Sequence, residues 1–300
     1  AFLYLSPNLP PVEALRDMQL QTPLRIYTQD KSLIAEFGEK RRTPVDFEDV
    51  PPLLISAVLA AEDDRFYDHH GVDIKGLLRA ASQLLMTGSI QTGGSTITMQ
   101  VAKNYFLSHE RTFSRKFNEI FLALQIEQEL SKEEILELYL NKIFLGKRAY
   151  GIEAAAQVYY GKTIKDLALD QFAMLAGLPK GPSTLNPIAN PSRAIIRRNW
   201  ILGRMLELGY INNQDYQIAV AKPVSATTHG TQLDVSAAYA AELAHQEMLK
   251  RYGRNAYTDG YTVYTTIKAP LQNKAQHAVV DGLLAYDQRH GYRGPEQQLS

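Results

Sequence analysis

The densest run of chemically useful side chains is Glu62-Asp63-Asp64, followed at once by Arg65, Phe66, His69 and Gly71. Glu62 falls at the expected C-terminal end of an apolar helix, where the negative end of the helix dipole disfavours a carboxylate. Asp63 and Asp64 add like charge. Both effects raise the Glu62 carboxyl above its reference value of about 4.3, toward what a general base needs near neutral pH. The same run also reads as a solvated acidic loop closing a helix. His69 and His70 could ligate a metal, but the neighbouring spacing supplies no recognised ligand set.

A second segment, Gly93-Gly94-Ser95-Thr96-Ile97-Thr98-Met99-Gln100, turns through two glycines into a helix N-terminus. Such a terminus exposes backbone N–H groups and suits an anionic oxygen. On the helix that follows, Thr96, Gln100, Lys103 and Asn104 share one face. A hydroxyl, an amide and an ammonium in line suit a phosphorylated ligand. A capped surface helix with a polar face is the alternative. Arg111, Arg115 and Glu119 recur every four residues further on, as an ion-pair ladder or a cationic site. Lys180 sits in the loop Gly177-Leu178-Pro179-Lys180-Gly181-Pro182.

Several common motifs are missing. No Ser has a Lys three residues later, which removes the Ser-x-x-Lys acyl-enzyme pattern. Gly161-Lys162-Thr163 resembles the end of a phosphate loop, but Ala156 stands where that loop needs glycine. There is no His-Glu-x-x-His.

The elements that must position these residues are mostly helical. Pro51-Pro52 opens a helix through Leu53 to Ala61 that runs into Glu62. A second begins after Gly94, with Ser95 or Thr96 as N-cap. A third runs through Phe113, Phe117, Ile120, Phe121 and Leu124. Ser131-Lys132-Glu133-Glu134 is a capping-box pattern that starts a fourth. Further helices are expected over 151–160, 166–178, 192–209, 236–249 and 271–286. Strand patterns appear at Leu24–Thr28 and Leu33–Phe37, joined by a polar turn, and at Tyr261–Ile267. The reading gives three segments: a membrane-proximal stretch and hairpin linker over 1–45, a main domain over 46–222, and the start of an incomplete second domain over 223–300.

Composition is that of a globular protein, with 45% apolar and 21% charged residues. Lys plus Arg and Asp plus Glu each number 32, a balance that argues against a nucleic-acid partner. Cysteine is absent, which removes disulfides, thiolate nucleophiles and Cys-ligated zinc. The longest nearly apolar stretch, Leu53 to Ala61, is far short of the roughly 18–20 residues of a membrane helix. Ala1-Phe2-Leu3-Tyr4-Leu5 reads either as the trailing end of a longer apolar helix or as a short buried start.

Taken together these segments resemble the glycosyltransferase domain (family 51) of class A penicillin-binding proteins, the peptidoglycan glycosyltransferases. Glu62 to Gly71 resembles the motif Glu-Asp-x-x-Phe-x-x-His-x-Gly, and Gly93 to Gln100 resembles Gly-Gly-Ser-Thr-Ile-Thr-Gln-Gln. Arg115-Lys116-Phe117-Asn118-Glu119 matches Arg-Lys-x-x-Glu. Lys132 to Asn141 and Tyr150 to Lys162 complete the series. The resemblance covers roughly residues 45–220. Met99 departs from it, standing where the family usually has Gln, and Thr92 is also unusual. The hairpin before residue 40 and Gly260–Ile267 resemble the frame and opening segment of the penicillin-binding transpeptidase domain.

The resemblance implies a mainly α, lysozyme-like glycosyltransferase fold with small β elements from the transpeptidase side. It implies polymerisation of lipid II into glycan strands by inverting transfer, with release of undecaprenyl pyrophosphate. By carry-over, Glu62 is the general base and Glu119 the second catalytic carboxylate, positioning either a metal or the cations. Lys103, Arg115 and Lys180 would hold the pyrophosphate. Asp63, Phe66 and His69 would shape the base's surroundings, and Ser95, Thr96, Gln100 and Asn104 would line the donor groove. A divalent cation, Mg or Mn, is expected and no organic cofactor. The implied partners are lipid II, the growing strand, cell-wall elongation or division proteins and an outer-membrane activator. The implied location is the periplasmic side of the bacterial inner membrane, with a membrane helix upstream of residue 1. The competing reading is a lysozyme-like muramidase that cleaves peptidoglycan, which would need no clustered cations.

Overall fold

The computed structural model describes residues 12, 15, 22–38, 41–78, 86, 94–107, 113–230 and 233–291. The apolar start at residues 1–5, Thr92, Gly93 and Arg111 lie outside the described residues. The chain packs as two compact units. Residues 41–230, with Val12 and Leu15, form the first; 22–38 and 233–291 form the second. Among the described residues no helix is long and apolar enough to cross a membrane.

The first unit is helical. Helix α1 (Pro52–Glu62) starts on a proline in its first turn and buries Leu54 and Ala57 to Ala60. It is apolar nearly all round, as a central helix must be, and it packs against both α6 (Leu169–Gly177) and α7 (Pro191–Glu207). It stops because Asp63 turns extended, with φ −160°. Helix α2 (Ile97–Phe106) is capped by Thr96, whose hydroxyl accepts from Met99 N–H at 3.1 Å. It lies between α3 (Phe113–Glu129) and α4 (Lys132–Lys142). The capping box at Ser131 is made in both halves, at 3.2 Å from Glu134 N–H and 2.7 Å back to the Ser131 N–H.

Helix α5 (Ile152–Tyr160) is buried along almost its whole length. A helix this apolar needs sharp turns at both ends, and Gly151 and Gly161 supply them with φ of 91° and 64°. Helix α8 (Asn213–Ala221) carries no strong sequence pattern. It is docked by the buried Arg198 of α7, which donates to the Val220 and Lys222 carbonyls at 3.0 and 2.7 Å. A cation on the last carbonyls of a helix favours both.

In the second unit β1 (Leu24–Tyr27) and β2 (Leu33–Phe37) form the expected hairpin, with Leu24 opposite Phe37 and Ile26 opposite Ala35. Helix α9 (Ala238–Tyr252) precedes β3 (Thr262–Tyr264), and α10 (Ala269–His290) follows it. Strand β3 pairs with β1 in parallel, so the sheet order is β2-β1-β3. Leu24, Ile26 and Ile34 meet Val235, Ala237, Ala241 and Ala269 in a small core. The hairpin therefore belongs with the C-terminal segment rather than with the linker.

Candidate active site

Glu62 ends α1 and its side chain is 13% exposed. Gln100, one turn into α2, donates its Nε2–H to Glu62 Oε2 at 3.0 Å. On the other side Arg197 Nη2 of α7 lies 4.0 Å from Oε1. Burial pushes the Glu62 carboxyl up, and the Gln100 bond with the charges of Arg197, Lys180 and Lys103 pulls partly back. The expected direction is thus present with a different cause. Repulsion from the two neighbouring acids is not what raises it, because both are engaged elsewhere. Asp64 is bonded to Arg204 at 2.7 Å. Asp63 accepts from the Ile97 N–H at 3.0 Å and from His69 Nε2 at 3.0 and 3.1 Å.

Asp63 is therefore a clasp. It joins the end of α1 to the start of α2, and His69 holds it from behind. The loop from Asp63 to Gly71 is pinned at its far end too: Thr96 Oγ1 donates to the Gly71 carbonyl at 2.6 Å. Gly71 has φ +83°, and a Cβ there would sit 2.6 Å from the Ala123 carbonyl oxygen. Only glycine fits. Phe66 is buried beneath Lys132, whose ammonium lies 4.3 Å from the ring centroid. Lys132 also donates to the His69 carbonyl at 2.7 Å and to Glu127 at 2.8 Å, and Glu127 accepts from Thr98 at 2.6 Å.

In front of Glu62 opens a cleft of about 1300 Å³. Of the residues singled out in the sequence, Glu62, Asp63, Ser95, Thr96, Gln100, Lys103, Arg115, Glu119 and Lys180 line it. Phe66 and His69 do not reach it and support Asp63 instead. Asn104, on the expected polar face of α2, is half-buried and does not line the cleft. The Thr96 hydroxyl is spent on its cap and on Gly71. Met99 is fully buried and forms part of the cleft wall.

Glu119 is buried between two cations. Arg115 Nη1 lies 3.0 Å from Oε1, and Lys116 Nζ donates to Oε2 at 2.8 Å and to Ser95 Oγ at 2.7 Å. Lys116 was legible as the neighbour of Arg115 with an i,i+3 acid, but its place in the cleft was not. The face of α7 is the larger omission: Arg193, Arg197, Trp200 and Arg204 all line the cleft, at spacings of one helical face.

The donor set does not fit a resident divalent cation. Among the described residues no three acids or histidines gather to hold a metal. Glu119 is the expected ligand, and its carboxylate already faces two positive groups. A hard cation could enter only with oxygens brought by a phosphorylated ligand. What the arrangement can do by itself is remove a proton at Glu62 and hold a polyanion beside it.

The transglycosylase family model matches residues 30–206 of this chain. Penicillin-binding protein 1A of Pseudomonas aeruginosa is 64% identical over 299 residues, covering 100% of this chain and 36% of its own length. The proteins of that name from Escherichia coli and Vibrio cholerae are each 53% identical over 99% of this chain, covering 35% and 36% of theirs. The chain spans about a third of the length of these curated relatives.

Proposed function

Because the chain belongs to the transglycosylase family, we propose that it is a peptidoglycan glycosyltransferase of cell-wall synthesis, joining lipid-linked disaccharides into glycan strands. The observation that carries this reading is the buried Glu62 carboxylate facing a cleft that also holds Lys103, Arg115, Lys116 and Lys180.

In the proposed reaction Glu62 takes the proton from the 4-hydroxyl of the acceptor sugar. The freed oxygen forms a bond to the anomeric carbon of the donor from the face opposite the leaving group. The bond from that carbon to the phosphate oxygen breaks, its electron pair leaves with undecaprenyl pyrophosphate, and the configuration inverts. A pyrophosphate leaves without a strong general acid. It needs positive charge where its own charge develops, which the lysines and Arg115 provide. Gln100 orients the base.

Cleavage is the weaker reading. A glycosidase commonly needs a second carboxyl group acting as acid, base or nucleophile. Here the second cleft carboxylate, Glu119, is bound by Arg115 and Lys116 and is better suited to arranging cations. The proposed substrate, lipid II, places the work at the periplasmic face of the inner membrane. Elongation or division proteins and an outer-membrane activator are the proposed partners. Incubation of the full chain with purified lipid II tests the assignment. Lengthening glycan is expected; shortening of added glycan with no polymer formed would overturn it.

A further inference from the structure

Arg197 makes three contacts that none of the cleft lysines makes. Its Nη2 donates to the Ala61 carbonyl at 3.1 Å, in the last turn of α1. The same nitrogen is 4.0 Å from Glu62 Oε1. The guanidinium carbon lies 4.3 Å from the centroid of the Trp200 ring. The Arg197 side chain is 11% exposed, while Trp200 is 48% exposed and forms part of the cleft wall.

A planar fork can serve a helix-end carbonyl and a neighbouring carboxylate together, while its flat face rests on an aromatic ring. An ammonium cannot do all three. The charged and titratable groups facing Glu62 come from every side: Arg197 from α7, Lys103 from α2, Lys180 from the turn Leu178–Lys180, with Asp63 adjoining and Tyr139 of α4 below. On the reading above, Lys103 and Lys180 are also the groups that meet the pyrophosphate. Once they do, their charge is answered by phosphate oxygens and is lost to the base. Arg197 is fastened to Ala61 and Trp200 and keeps its charge at Glu62.

We infer that Arg197 is a positioning residue for the base: it locks the end of α1 and sets a fixed positive group beside the Glu62 carboxylate, aiming it into the cleft while the lysines turn to the leaving group. Trp200 holds it there. This rests on the assignment of Glu62 as base, and the test separates the two.

The experiment uses the full chain in two measurements. Carbon-13 NMR of glutamate-labelled, ligand-free protein follows the Glu62 carboxyl, identified by its absence from Glu62→Gln. Polymerisation of lipid II gives kcat/KM against pH. In Arg197→Gln, which keeps a donor for Ala61 but loses the charge, the Glu62 midpoint and the acid limb of the rate profile move up by about one pH unit. In Arg197→Lys the acid limb returns close to wild type, while kcat stays reduced because the fork is gone. Trp200→Leu, altered at a half-exposed site that leaves the core intact, moves the midpoint up by a smaller amount. An unmoved midpoint in folded Arg197→Gln would overturn the inference, as would Arg197→Lys behaving like Arg197→Gln. Should Arg197→Gln fail to fold, an unmoved midpoint in Trp200→Leu overturns it instead. If wild type makes no polymer, the functional reading fails, and the NMR titration still decides what Arg197 does to Glu62.

Discussion

Gln100 Nε2 donates to Glu62 Oε2 at 3.0 Å, so the helix that begins at Thr96 reaches back and holds the residue that ends α1. The two are 38 positions apart in the chain. Two helix ends meet here, and the chemistry sits where they touch.

Replacing Glu62 with Gln removes the base while keeping an acceptor for Gln100. Lipid II polymerisation should fall by at least about a hundredfold. Burial holds the folded carboxyl above its ordinary value of 4.5. Its contribution to stability is therefore full below that value and is lost as pH rises through the folded one. Glu62→Gln should accordingly melt higher than wild type at pH 7–8, with the gap closing below about pH 4.5. Thermal unfolding across that range checks the sign; a lower melting temperature at neutral pH contradicts it.

The cations on the α2 and α3 side should hold the anion. Lys103→Ala and Arg115→Ala should each weaken binding of a lipid-pyrophosphate analogue by about tenfold, the worth of one charge-assisted contact. Added salt should weaken wild-type binding as well. Isothermal titration measures both. Wild-type affinity in the two variants would remove these groups from the substrate site.

The Asp63 clasp and the Gly71 turn should matter to folding as well as to rate. Asp63→Ala strips a buried carboxylate from the Ile97 N–H and from His69, at a cost of about 3 kcal/mol. Gly71→Ala meets both a positive φ and the Ala123 carbonyl, at a cost of about 2–4 kcal/mol. Urea denaturation of both variants measures these losses. If either variant unfolds like wild type, the pinned loop is not what organises the site.

Metal binding should depend on phosphate. With Glu119 already matched by Arg115 and Lys116, Mg²⁺ or Mn²⁺ should bind the protein alone more weakly than about 1 mM. It should bind measurably tighter once inorganic pyrophosphate is present. Calorimetric titration with and without pyrophosphate distinguishes this from a resident site.

What could be read from the sequence follows the range of the interactions involved. The capping box at Ser131, the Thr96 cap and the proline start of α1 are made within one helical turn, and each is present where the spacing predicts it. The cluster of Glu62, Gln100, Lys103, Arg115 and Glu119 is also gathered as the motifs imply. Arg197 escapes sequence reading because its partner Ala61 is 136 positions away, and an arginine on a polar helix face looks like any other. The Glu62 carboxyl is raised as expected, but by burial at the cleft wall where α1, α2 and α7 meet, which no count of neighbouring acids can reveal. Asn104 shows the opposite failure: a shared helix face does not ensure that the cleft extends to it. Helix α8 has an Asn212 cap but no apolar stripe, so only its docking on Arg198 makes it distinct.

The parallel pairing of β1 with β3 sets a timetable for the chain. Tyr27 accepts from Thr265, 238 positions later. At about 5–20 residues per second of synthesis, roughly 12–48 s pass before the third strand exists. A lone hairpin is marginal in water over such a wait, whereas the whole of residues 41–230 emerges in the interval. The helical unit can thus finish folding as an insert while its flanking hairpin remains an unclosed edge, available to a chaperone or to misplaced pairing until the ribosome delivers Thr262–Tyr264.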